Sequence, residues 1–125
     1  MTTAFERALA QMTAASAAIP AMRRRALARE IRREASALRL KPIASIARYL
    51  GNSPPISTGR CLERAELLYN AQTTLKAEGS FAYDFNRLVS MGGIVVELRR
   101  RMRVAMAQEE ARELEDAGSQ FGMGA

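Results

Sequence analysis

Apolar residues recur along most of this chain at intervals of three and four, the spacing that stacks side chains on one face of an α-helix. Thr3 and Glu6 form a T-x-x-E capping box, and Phe5, Leu9, Met12 and Ile19 follow on one face of an alanine-rich helix expected to reach about Ala18. Pro20 is expected to break that helix and to serve as the first residue of the next. Residues 21–39 read as an amphipathic helix on which Leu27, Ile31 and Leu38 fall within about 40° of one another at 100° per residue.

A second stretch, residues 41–70, reads as a helical hairpin. Ile43, Ile46, Ala47 and Leu50 predict a short helix whose first turn holds Pro42 and which Gly51 closes in a left-handed conformation. Asn52-Ser53-Pro54-Pro55 predicts a turn, because each proline pushes the residue before it out of the α region. Ser57 or Thr58 then caps a helix carrying Cys61, Leu62, Ala65, Leu68 and Tyr69 on one face, extended by Gln72 and Leu75 and ended near Gly79.

Ser80 is expected to cap a last, long helix beginning at Phe81, with Phe81, Phe85, Leu88, Gly92, Val95, Leu98, Met102 and Ala105 along its stripe. Gly92-Gly93 interrupts the stripe at a cost of roughly 1–2 kcal/mol against alanine, which marks a kink, a break into two helices or a close helix crossing. It is not a phosphate loop, since no strand precedes it and no Gly-Lys-Ser/Thr is present. Residues 108–117 prolong the helix with an acidic surface, and the glycine-rich end is expected to be mobile, with Phe121 and Met123 not expected to serve as a docking tag. The pattern predicts an all-α protein, a small bundle of about five helices with a helix-turn-helix-like hairpin and a long C-terminal helix. One domain is expected over 1–107, followed by an acidic helical extension and tail over 108–125.

Composition narrows the core and the chemistry. Apolar residues make up 48% of the 125 residues, but aromatics only 6% with no tryptophan, which suits closely packed helices better than a β-sandwich. Histidine is absent and Cys61 is the single cysteine, so an internal disulfide and any histidine-dependent zinc site or triad are excluded. Only two aspartates occur, Asp84 and Asp116, and Glu63 and Glu66 lie among arginines where surface ion pairing is the ordinary outcome. No enzymatic role, metal or cofactor is therefore expected. No run of 18 apolar residues suggests a membrane span, and no basic segment followed by an apolar run opens the chain, so a cytoplasmic protein is expected.

Charge points toward an anionic partner. The net formal charge is +6, distributed as +5 over residues 1–40, +2 over 41–78, +3 over 79–107 and −4 over 108–125. Arg25, Arg29, Arg32 and Arg33 collect on the polar side of the 21–39 helix, flanked by Glu30 and Glu34, where like charges repel by a few tenths of a kcal/mol per pair. A phosphate backbone or an acidic protein surface would relieve that repulsion, while solvated faces with local ion pairs remain the plain alternative. Arg99, Arg100 and Arg103 form a second basic group on the long helix.

The hairpin resembles the helix-turn-helix of DNA-binding regulators over about a quarter of the chain. Ala47 matches the small residue that faces the second helix, Gly51 stands four residues later, and Ile56 and Leu62 match the apolar anchors. The Pro-Pro pair makes the turn about two residues longer than usual, and Gly59 occupies a position where a bulky apolar residue is expected. The resemblance implies that Ser57, Thr58, Arg60 and Arg64 face the groove while Arg25, Arg29, Arg32, Arg33 and Arg48 hold the backbone. The leading expectation is a small nucleic-acid-binding protein, directed at duplex DNA and regulatory, that forms homo-oligomers through residues 81–107. The alternatives are a structural or adaptor subunit of a larger assembly, of phage or mobile-element type, and an inhibitor that binds one protein.

Overall fold

A computed structural model describes the backbone of residues 3–122 and the side chains of 3–7 and 21–118. Its helices are α1 (Ala4–Ala37), α2 (Ile43–Leu50), α3 (Thr58–Ala77) and α4 (Phe85–Gly122), and no strand occurs among the described residues. The all-α architecture with a central hairpin and a long last helix is as the hydrophobic spacing predicts. No helix among the described residues is long and apolar enough to cross a membrane.

Helix ends follow side-chain chemistry. Thr3 Oγ1 accepts from Glu6 N at 3.1 Å and Glu6 Oε2 accepts from Thr3 N at 3.3 Å, completing the capping box. Pro42 stands just outside α2 at the N-cap rather than inside its first turn. Gly51 ends α2 at φ +75°, and the Asn52 amide reaches back to Ala47 O at 2.9 Å, which satisfies a carbonyl the helix leaves open. Ser57 caps α3 by accepting from Arg60 N.

Other boundaries also differ from expectation. α1 continues through Pro20 as one helix of 34 residues. Proline's fixed φ is itself helical, so it removes one donor and crowds the preceding turn, and the alanine-rich turns on both sides favour continuing. The face assigned to Leu9, Met12 and Ile19 lies outside the described side chains, whereas Phe5 is exposed.

α4 begins at Phe85, later than the Ser80 cap predicts. Asp84 takes that role, its Oδ1 accepting from the Asn86 and Arg87 amides at 3.0 and 3.3 Å. The buried Gln72 fixes the position by accepting from Asp84 N at 2.9 Å, while Ser80 Oγ accepts from Ala82 N within a turn. Phe81 is consequently fully exposed and does not extend the core stripe. At the other end α4 is helical past Gly118 as far as Gly122, where a mobile tail is expected; Met123 lies outside the described residues, as does the side chain of Phe121.

The core gathers on α4. Met91, Ile94, Val95 and Leu98 pack with Ile46, Ala47 and Leu50 of α2 and with Cys61 and Ala65 of α3. α1 and α3 each pack chiefly on α4. Gly92-Gly93 does not break α4 into two helices: it is the crossing point of α1. A Cβ on Gly93 would stand 2.6 Å from Glu34 Cγ and 3.1 Å from the Ala35 amide nitrogen, and one on Gly92 would stand 2.9 Å from Ile31 Cδ1 and 3.2 Å from Tyr69 Cε2. The missing side chains let two helix backbones approach, at the cost in helix propensity noted above.

Gly93→Ala should therefore destabilise the fold by about 1–3 kcal/mol although alanine is the better helix former, because the backbone at Ala35 cannot yield as a flexible side chain would. Gly59→Ala, which meets nothing within 4 Å inside α3, should instead stabilise by about 0.5–1 kcal/mol. Urea denaturation followed by circular dichroism separates the two signs.

Candidate nucleic-acid interface

The arginines singled out above belong to two groups on separate helices. Arg25, Arg29 and Arg32 recur at i, i+4 and i+7 on α1 and are exposed. With Met22, Arg23, Ala26 and Ala28 they line one surface cleft. Arg32 Nε donates to Ala28 O at 3.3 Å, which leans its guanidinium along the helix. Among the described residues no carboxylate lies within 4.0 Å of these guanidiniums. Arg33 differs: Glu30 holds it at 3.2 Å. α1 turns this face outward because Ile31, Glu34 and Ala35 on the other side are pressed against the glycine pair.

The hairpin group is arranged differently from what the helix-turn-helix resemblance implies. Ser57 spends its hydroxyl oxygen on the Arg60 amide, and Thr58 is half-buried. Arg60 Nη1 donates to Pro55 O at 3.1 Å, and Arg64 Nε donates to Leu50 O at 3.4 Å. Both guanidiniums stay exposed, but they fold back to satisfy carbonyls of the turn and of the α2 C-terminus. Ala47 is fully buried and Leu62 packs against the core, as the resemblance requires, whereas Ile56 is 40% exposed and anchors nothing. The connection from Gly51 to Ser57 is longer than the three or four residues of a helix-turn-helix. Arg48 is exposed in the last turn of α2, where a cation complements the helix dipole.

The second basic group on α4 is largely neutralised. Arg99 pairs with Glu66 of α3 at 3.2 Å. Arg100 grips Glu97 through two bonds, Nε to Oε2 at 3.0 Å and Nη2 to Oε1 at 2.8 Å. Sequence reasoning passed over Glu97, the one carboxylate that is nearly sealed from solvent among the described residues, at 2% exposure. Arg101 also donates to Glu97 Oε1, and its Nη2 reaches Leu38 O at 3.0 Å and Lys41 O at 2.6 Å. Glu97 thus aims Arg101 at carbonyls just beyond the C-terminus of α1, latching that end to α4. The signal was present as Glu97 placed three and four residues before Arg100 and Arg101, but the same spacing is common on solvated helices.

Hydrogen bonding from Arg100 holds the Glu97 carboxyl below its ordinary value; burial opposes this and Arg101 adds to it. A depressed folded pKa means a stabilisation fully present above the ordinary glutamate value of 4.5 and lost as pH falls through the folded value. Glu97→Gln should cost at least about 2 kcal/mol near pH 7 and should flatten the loss of stability with acid below about pH 4.5, measured by denaturant titration across pH.

No protein-family model, curated protein or solved structure matches the chain.

Proposed function

We propose that the chain is a non-enzymatic, regulatory nucleic-acid-binding protein that holds the phosphate backbone of duplex DNA through the arginine face of α1. The observation that carries this reading is the row Arg25, Arg29 and Arg32, exposed, aligned and unmatched by described carboxylates along one cleft. Arginines so placed gain affinity by releasing condensed counterions from phosphates, a gain already lost where a carboxylate has taken the guanidinium. Arg33, which Glu30 already holds, and Arg48 on α2 have a lesser role.

The hairpin contributes less than its resemblance implies, because Arg60 and Arg64 must surrender carbonyl partners before reaching a base or phosphate. Binding that is mainly to the backbone, with weak sequence preference, follows from that. The stripe of residues 81–107 suggested for self-association is mostly spent on the chain's own core at Leu88, Met91, Ile94, Val95 and Leu98. One observation favours a second reading, a structural or adaptor subunit docking on protein: the acidic surface of α4 beyond Arg103 is entirely exposed as far as Gly118.

Gel-shift titration of duplex DNA at two salt concentrations tests the proposal. The triple variant R25A/R29A/R32A should weaken binding at least about tenfold near 0.1 M salt and lower the salt slope by roughly three, one for each phosphate contact removed. R60A/R64A should weaken it less. Equal binding by wild type and the α1 triple variant, or no binding by wild type at low salt, would overturn the reading.

A further inference from the structure

α1 and α4 cross in the same sense: Ile31 meets Gly92, Glu34 and Ala35 meet Gly93, and the carbonyls of Leu38 and Lys41 meet Arg101. Arg25 and Arg29 of α1 therefore lie before the crossing and Arg32 beside it, whereas the acidic stretch of α4 lies after it. At 1.5 Å per residue the backbone of Glu109 lies about 24 Å beyond Gly93, more than the side chains of Glu109 and Arg32 together can span, and the other pairs lie farther apart. The two opposite charges cannot meet within one molecule.

They match between molecules. Glu109, Glu113 and Asp116 recur at i, i+4 and i+7, within about 60° of one another around α4, and Arg25, Arg29 and Arg32 recur at the same three intervals around α1. Arg112 flanks the acidic row on one side, as Glu30 lies away from the basic row and is taken by Arg33. The acidic row also prolongs the face that is buried earlier on α4, the line through Leu98 and Met102, so the helix changes from an apolar seam to an anionic one where the core ends. Every residue from Arg103 to Gly118 is exposed, and a bare helix of that length is marginal in water.

We infer that the acidic face of α4 in one copy, Glu109, Glu113 and Asp116, docks along Arg25, Arg29 and Arg32 of α1 in a second copy. Because the two faces sit at opposite ends of the chain, the contact closes when each copy gives its extension to the other, forming a two-fold pair. The exposed Met22, Ala26 and Ala28 of the α1 cleft supply apolar area beside the charges. The inference does not rest on nucleic-acid binding, and the two compete: pairing buries the arginines that DNA would use, so phosphates must displace the partner's carboxylates.

Light scattering on the full chain, without nucleic acid, tests it. The mass should be that of a pair at roughly 50 mM salt and should fall twofold toward the single chain near 0.5 M, where screening shortens the reach of exposed charges to a few ångströms. E109K/E113K/D116K and R25E/R29E/R32E should each be single chains at low salt while keeping wild-type helix content by circular dichroism. Mixed in equal amounts, the two variants should associate again, since each mixed contact joins opposite charges. A wild type that is a single chain at low salt, or a pair that survives either reversal, would overturn the inference; a variant pair that associates only when mixed would support it whatever the gel shift shows.

Discussion

The structure depends on one close approach, the passage of α1 over Gly92-Gly93 of α4. Two glycines in the interior of a 38-residue helix cost helical stability, and the return is contact between Ile31, Glu34 and Ala35 and a stretch of backbone that carries no side chain. Small residues at a crossing set how near two helices can lie. Here they also set rotation, because pressing that side of α1 onto α4 turns Arg25, Arg29 and Arg32 to the outside. The same glycine pair touches Tyr69 of α3, so α1, α3 and α4 are registered against one another at a single point.

A polar latch completes what the glycine crossing begins. Glu97 is nearly sealed from water, yet its oxygens are occupied by Arg100 and Arg101, and Arg101 carries the link to the carbonyls at the end of α1. Buried charge is costly unless fully paired, so this arrangement selects one orientation of α1 on α4 more than it adds net stability. The apolar residues of α2 and α3 then close over α4 from the other elements, with the small side chains of Ala47, Cys61 and Ala65 permitting short separations.

Much of this was legible in the residues. Capping chemistry is local, so Thr3 with Glu6, Gly51, Ser57 and Gly79 mark the ends they were expected to mark. The failures have a common cause, competition from partners distant in sequence or from neighbouring helical turns. Pro20 did not end α1 because helix-favouring turns surround it, and Ser80 lost the α4 cap to Asp84 because Gln72 of α3 holds that amide. The glycine pair was ambiguous among kink, break and crossing, since only the identity of Glu34 and Ile31 as neighbours decides it. At the site, periodicity located the α1 arginine row correctly on an exposed face. It did not reveal that Arg60 and Arg64 would turn back onto carbonyls, nor that Glu97 would be the buried member of its cluster.

The charge of the chain acquires meaning from this geometry. Cations are concentrated on the helix that enters the crossing and anions on the part of α4 that leaves it, and the length of α4 keeps the two apart. Each is therefore exposed to solvent rather than set against its own complement. All of this requires Ile31 to lie directly over Gly92. A nuclear Overhauser spectrum of methyl-labelled protein measures that contact: a strong cross-peak between the Ile31 δ1 methyl and the α protons of Gly92 is the result expected, and its absence in a spectrum that shows Tyr69 ring contacts to the same glycine would contradict the account.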